Sequence, residues 1–244
     1  MGTPRFYAPN ASASGVQIEL PDEEATHLTR VLRLTPGAEV RVFDGQGHEW
    51  HATVDRVSKQ HVAVTLHEAA TAAPEPQIAL TLALGVLKGD KMDTTVRDAV
   101  MLGVAAIQPI ITARTEIAAT ALQKGSRVAR WRRIAVSSAK QCGRAVVPAI
   151  HAPIALNDAV QVVTEMTVML VEPTVDAAAR VLSEVPATSA ATLLVGPEGG
   201  WTSDEVRRAE AHGAILMTLG RATLRADAVP LVALTALRVH WGDF

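Results

Sequence analysis

The chain of 244 residues is long enough for one large domain or two modest ones, and an apolar content of 48 % is ample for a buried core. One cysteine, Cys142, excludes an internal disulfide framework and suits a reducing compartment, and no apolar run approaches membrane-spanning length, so a cytoplasmic globular protein is expected. The net charge of −2 is a cancellation: residues 1–76 carry six basic and ten acidic side chains, residues 77–150 eleven and four, and residues 151–244 six and eleven, which points to a phosphate-bearing partner for the middle block.

The opening MGTPRFYAPN has neither an apolar signal core nor a Ser or Thr at position six. VQIEL at 16–20 reads as a strand, and PDEEATHLTRVLRL as a short helix with acidic residues in its first turn. From Ala38 to Glu68, short alternating apolar and polar runs broken by DGQG and SKQ predict a β-meander. TAAPEP at 71–76 has two prolines and no apolar anchor, and reads as a linker between a domain over 1–73 and another over 77–244. Beyond it the rhythm becomes strand and helix in alternation. Strands are expected at QIALTLAL, AAIQPII, TVMLVEP, ATLLV and AILMTL, with helices over Asp90–Leu102, Ser126–Cys142, 175–184, Ser203–His212 and a last one ending near His240. That pattern predicts an α/β domain whose mainly parallel sheet is covered on both faces.

Several chemical signatures fail. GQGHEW at 45–50 lacks the third glycine of a dinucleotide fingerprint and joins two strands, so it is a hairpin turn. There is no phosphate-binding GxxxxGK[ST], no HExxH, no CxxC and no GxSxG, and the eight histidines lack metal spacing. LLVGPEGGWTSDEV at 193–206 survives because its context is right. A strand enters, GPEGG turns, and Thr202 with Glu205 forms a capping box before a helix. Such a turn is either a tight connection or a place where backbone amides approach a ligand. Glu198 would repel phosphate there, and suits a ligand that offers hydrogen-bond donors. Arg221 and Arg225 in LGRATLRADAV are either surface charges or, for Arg225 beside Asp227, a held cation. Arg130, Arg133 and Lys140 fall within a third of a helical turn of one another, and Arg144 extends the stripe if the helix passes Gly143. Trp131, Ile134 and Ala135 lie away from the stripe, on a face expected to meet the core. The stripe is a solvated face or a nucleic-acid contact. Eight basic residues against the single acid Glu116 between Arg114 and Arg144 favour the contact.

GPEGGWTSDE followed by LGRATLRADAV resembles the signature of the trefoil-knotted SPOUT methyltransferases, specifically the family that methylates N3 of a uridine (uridine 1498) in 16S ribosomal RNA. KGDKMDTTVRDAVMLGVAAIQPIITART, RWRRIAVSSAKQCGRAVVPAI, RFYAPN and HLTRVLRLTPGAEVRVFDGQG resemble that family's other blocks in the same order. The resemblance implies a small PUA-like β-barrel ahead of a C-terminal α/β domain with a parallel sheet and a knotted chain end. It also implies S-adenosylmethionine in the knot, a homodimer, the small ribosomal subunit as partner, and neither metal nor membrane. By motif, cofactor contacts fall on Val171, Glu172, Gly196, Glu198, Gly199, Gly200, Leu219, Gly220 and Leu224. RNA contacts fall on Arg5, Arg30, Arg33, Arg130, Arg133, Lys140 and Arg144. Arg225, with Arg221 or with Arg114 from a partner chain, would stabilise charge on the uracil oxygens, and Asp227 and Glu198 are candidate general bases. Ala222 and Thr223 stand where the family usually has Arg and Ile, Asp227 where it has Glu, and Met101 and Lys140 where Glu is common. Alternatives are a SPOUT enzyme acting on another RNA and a non-catalytic RNA-binding protein of the same fold.

Overall fold

Alternation in the first seventy residues folds as expected and gains one strand. β1 (Arg5–Tyr7), β2 (Gln17–Glu19), β3 (Glu39–Phe43), β4 (Glu49–Val57) and β5 (Val62–Ala69) form a sheet in the order β1-β3-β4-β5-β2. The structure is a computed structural model that describes residues 2–58, 61–117, 122, 126–161, 165–173 and 179–244. β1 lies parallel to β3 and the meander is antiparallel, with Val42 opposite Trp50 and Val54 opposite Val64. Two register shifts interrupt the β4–β5 ladder, the one between Trp50 and Ala52 with its extra residue on β5 and the one between Val54 and Arg56 with its extra residue on β4, and each bends the strand that carries it. The sheet curls so that all five strands reach one core: Phe6, Ile18, Val40, Val42, Trp50, Val54, Val62, Val64 and Leu66, closed by Leu28. Leu28 comes from the predicted helix, which is α1 (Asp22–Thr26) continuing as a π-helical turn over His27–Leu32 and stopping at Arg33 with φ of 54°. DGQG is the hairpin turn: the buried Asp44 carboxylate accepts from the Gln46 and His48 amides.

The second part alternates strand and helix: β6 (Ala79–Gly85), α2 (Lys91–Met101), β7 (Ala106–Ile111), α3 (Ser126–Cys142), β8 (Ala149–Ile150), β9 (Ile154–Ala155), α4 (Leu156–Ala159), β10 (Thr167–Leu170), β11 (Ala190–Val195), α5 (Ser203–Ala211), β12 (Ile215–Met217) and α6 (Val229–His240). All these strands are parallel, in the order β12-β10-β11-β6-β7-β8, with β9 also beside β7. β8 and β9 were not expected, because two residues are too short to show a period. Of the helix expected over 175–184, residues 174–178 lie outside the described residues and Leu182–Glu184 is a 3-10 turn. One face of the sheet packs Ala83, Ile110, Met169 and Leu194 against Leu156, Val206 and Ala209. Leu82 and Leu84 alternate with Ala83 and are fully buried on the other side, and α2 and α6 pack against each other.

The compact units are not two consecutive lengths of chain. Residues Met1–Glu75 group with Val136–Val147, and Pro76–Ala135 with Pro148–Phe244, so α3 begins in one unit and ends in the other. The stretch read as a linker is fastened within the first unit. Ala73 N–H donates to Gly143 O, and Glu75 accepts from the Arg144 guanidinium at Nε and Nη2.

Within the second unit, Arg238 of α6 is 1 % exposed and holds the chain end in place. Its Nε and Nη2 donate to Leu102 O and Gly103 O, the open carbonyls where α2 stops, and Nη1 pairs with Asp243 at 2.5 Å. Asp243 in turn accepts from the Gln77 and Ile78 amides that lead into β6. Removing one partner of such a pair strands the other's charge. Arg238→Ala is therefore expected to destabilise the protein by about 3 kcal/mol, read as a lowered midpoint in urea at unchanged slope.

Candidate functional site

The carboxyl ends of β10, β11 and β12 open onto a cleft of about 300 Å³ in the second unit. In open α/β sheets ligands bind at this end, where the strand order reverses. Here the chain runs outward from β6 through β7 to β8 and then returns to build β11, β10 and β12 on the other side. Leu170 to Pro173, Val195 to Glu198 with Gly200 and Trp201, then Thr218, Leu219, Ala222 to Asp227 and Val229 line the cleft, joined by Lys91 and Arg114.

The GPEGG turn is shaped by contacts that require its residues. A Cβ on Gly85 would lie 2.5 Å from Pro197 N, so only glycine at the end of β6 lets the turn cross above it. A Cβ on Gly199 would meet the Arg114 Cβ at 2.9 Å. Within the turn only Gly200 has positive φ, at 67°. The predicted capping box is present: Thr202 Oγ1 accepts from the Glu205 amide at 3.3 Å, and Glu205 Oε2 accepts from the Thr202 amide at 2.8 Å. The buried Glu205 also accepts from the Ala113 amide through Oε1, at 2.8 Å. That bond joins the turn after β7 to the turn after β11 and sets Arg114 beside it, where Nη1 donates to Gly199 O at 2.7 Å. Trp201 closes the floor: its ring covers Gly196 and Nε1 donates to Leu170 O at 2.7 Å.

Glu198 is held. Burial pushes its carboxyl upward, but its own amide, Lys91 Nζ at 3.0 Å and the Lys88 amide at 3.2 Å outweigh that and leave it below the usual carboxylate range. It ties the turn to the start of α2 and stays ionised, which suits framing and accepting hydrogen bonds. Arg225 is 77 % exposed at the cleft, with Nε 3.3 Å from Asp227 Oδ1. Arg221 is exposed and does not line the cleft.

Of the nine expected cofactor contacts, Val171, Glu172, Gly196, Glu198, Gly200, Leu219 and Leu224 line the cleft, while Gly199 and Gly220 lie outside its lining. Arg114 lines the cleft of its own chain together with Arg225 and Asp227, although 111 residues separate the two arginines. Lys91 and Trp201 are cleft residues that sequence reading did not single out. Nothing local distinguishes Lys91 from Lys88, and Trp201 follows the glycines as any aromatic might.

The basic residues divide into two groups. Arg5 is built into the first unit: it pairs with both oxygens of the buried Glu49 at 2.9 Å, and donates to the carbonyls of Ala139, Lys140 and Arg144 where α3 ends. A cation there satisfies carbonyls that the helix leaves open. Lys140 pairs with Glu24 at 2.6 Å and approaches His27, and Arg144, 5 % exposed, carries Glu75. These three side chains hold the unit together. Arg30 and Arg33 are exposed on the first unit, and Arg133 is exposed on α3. Arg130 pairs with Asp93 while its side chain stays 63 % exposed. As expected, Trp131 and Ala135 are buried. Among the described residues no group of His, Cys, Asp and Glu could hold a metal ion, and no helix is long and apolar enough to cross a membrane.

Residues 73–238 match the family model of the RNA methyltransferase domain, and residues 20–66 match that of the RNA methyltransferase PUA domain. The ribosomal RNA small subunit methyltransferase E of Synechocystis is 31 % identical over 90 % of this chain and 72 % of its own length. That of Bacillus subtilis is 28 % identical over 88 % and 87 %. The crystal structure of the Neisseria gonorrhoeae protein of the same name, bound to S-adenosylmethionine, superposes over 98 % of both chains with a TM-score of 0.90 at 32 % identity.

Glu205→Ala would leave the Thr202 and Ala113 amides without their acceptor in a closed site. A loss of about 3 kcal/mol in stability is expected, read by thermal unfolding, with faster hydrogen exchange at residues 112–115 and 198–202.

Proposed function

The chain belongs to the RNA methyltransferase family, and from that premise we propose that it transfers the methyl group of S-adenosylmethionine to N3 of a uridine in 16S ribosomal RNA. The observation that carries the reading is the convergence of Arg114, Arg225 and Asp227 on one backbone-lined cleft. The cleft suits the cofactor. Leu170, Val171, Val195 and Leu224 offer apolar walls, the glycines bring backbone groups close, and Glu172 and Glu198 supply acceptors for a ligand rich in donors and positively charged at sulfur. The Neisseria gonorrhoeae relative, which holds S-adenosylmethionine, supports the same assignment. When bound, the cofactor supplies a methyl group on a cationic sulfur.

The chain's own part is alignment and charge. Displacement at the methyl carbon gains most from holding the nucleophile in line. Uridine N3 lies on the pairing edge, so the base must be unpaired or flipped out to enter the cleft. Negative charge then grows on the uracil oxygens as N3 loses its proton. Arg225 is exposed, flanked by Asp227, and placed to receive that charge. Arg114, fixed on Gly199 O, adds positive potential from the other side of the same lining. Arg30 and Arg33 on the first unit, and separately Arg130 and Arg133 on the second, are the residues we assign to contacts with the RNA backbone. The exposed Val232 and Val239 on the otherwise apolar α6 support a homodimer, and the return of β10 to β12 beside β6 supports the knotted chain end.

The deciding experiment incubates protein, S-adenosylmethionine and fragments of 16S RNA, and identifies the modified nucleoside by mass spectrometry. N3-methyluridine is expected. Any other methylated nucleoside assigns the enzyme to a different RNA position. Failure to bind S-adenosylmethionine at millimolar concentration in calorimetry assigns a binding protein instead. Arg225→Ala should lower turnover on the order of a hundredfold or more while cofactor affinity stays within about twofold. Full turnover by this variant would remove Arg225 from the mechanism.

A further inference from the structure

Of the three carboxylates on the cleft lining, Glu172 is assigned above to the cofactor, and the structure separates the other two as candidates to take the proton from uridine N3. Glu198 Oε1 is occupied by the Lys88 amide and the Lys91 ammonium. Asp227 differs. Its Oδ1 is closed off from solvent and makes no hydrogen bond among the described residues. Arg225 Nε lies 3.3 Å away but its N–H is not aimed to form one. Buried carboxylate oxygens in proteins are nearly always hydrogen-bonded, so a cleft carboxylate that makes none keeps its accepting capacity for a ligand. Its position sharpens this. Asp227 stands one residue before Ala228, the N-cap of α6, and makes no capping hydrogen bond. The turn is instead closed by the backbone, with the Ala228 and Val229 amides both donating to Arg225 O at 2.9 and 3.1 Å. The Asp227 carboxylate, one third exposed on the cleft lining, is thus left without a hydrogen bond among the described residues, beside the cation already assigned to the uracil oxygens.

We propose that the Asp227 carboxylate is the proton acceptor for uridine N3, and that Asp227 and Arg225 together read the pairing edge of the base. The inference rests on the uridine-N3 reading above and names its missing base. Uracil presents an acceptor, the N3–H donor and a second acceptor along that edge, so a guanidinium N–H beside a carboxylate oxygen matches two neighbouring positions. Cytosine presents an acceptor at N3 and would set it against the carboxylate. In the step, the N3–H bond breaks with its proton passing to the Asp227 carboxylate. The electron pair left on N3 forms the bond to the methyl carbon, and the pair of the carbon–sulfur bond leaves with sulfur. The proton is later lost to water, restoring the carboxylate.

The test compares the parent protein with Asp227→Asn, which keeps the shape and removes the base, and with Arg225→Ala. Single-turnover methylation is measured on RNA carrying uridine or 5-fluorouridine at the modified position, whose fluorine makes N3 more acidic. Cofactor affinity is measured by calorimetry. Asp227→Asn should slow methylation of uridine by about a hundredfold or more with cofactor affinity within about twofold. On 5-fluorouridine that variant should recover most of the loss, while Arg225→Ala should not recover to the same degree. Asp227→Asn at the parent's rate, or a loss equal on both substrates, overturns the assignment and leaves the uridine-N3 reading standing. A parent protein that modifies another atom overturns both.

Discussion

The carboxylate of Glu205 is the constraint on which the cleft depends. It is buried, it stands in the first turn of α5 where the helix's amides favour negative charge, and its two oxygens answer donors from two separate segments. Through Oε2 it closes the cap of α5, and through Oε1 it holds the turn that follows β7. Once those segments are joined, Arg114 has one place to lie, across Gly199, and that residue can carry no side chain. The GPEGG turn is pressed between this arginine and the end of β6, where Gly85 leaves room for Pro197. Three loops from distant parts of the chain thereby become one wall.

Charge in the cleft is arranged before any ligand arrives. Lys91 is set against Glu198, Arg225 against Asp227, and Arg114 against a carbonyl. Each cation is oriented and none is fully neutralised by burial, the condition under which fixed charges contribute most to stabilising a developing anion. The pairs also differ in kind. The Lys91–Glu198 pair is reinforced by a backbone amide and frames the turn, whereas the Arg225–Asp227 pair is an ion pair without a hydrogen bond at Oδ1.

The basic middle of the chain shows why a charge count does not locate an interface. Between Arg114 and Arg144 the excess of positive charge is real, yet Arg144 carries Glu75, Lys140 carries Glu24, and Arg114 belongs to the cleft. Arg5, from the opposite end of the sequence, is drawn to the same helix end by its open carbonyls. The basic residues left at the surface are fewer than the stripe suggested, and Arg130 among them is shared with Asp93.

Periodicity and capping chemistry were readable directly, because both depend on neighbours a few residues apart. The meander over 38–68, the helix Ser126–Cys142 with Trp131 and Ala135 inward, the Thr202–Glu205 box and the hairpin at DGQG all follow from local pattern. The motifs around Gly196–Gly200 and Leu219–Asp227 marked most of the cleft for the same reason, since a bare turn between a strand and a capped helix is a local signature. Sequence alone did not place β1, which is three residues long and exists only by pairing with β3, nor the two-residue β8 and β9. It also gave no sign that Glu205 reaches Ala113, that Lys91 meets Glu198, or that Arg5, Lys140 and Arg144 turn inward. The partner of a charged side chain is chosen by which distant segments the packed sheet brings within hydrogen-bond distance, and only the tertiary structure makes that choice.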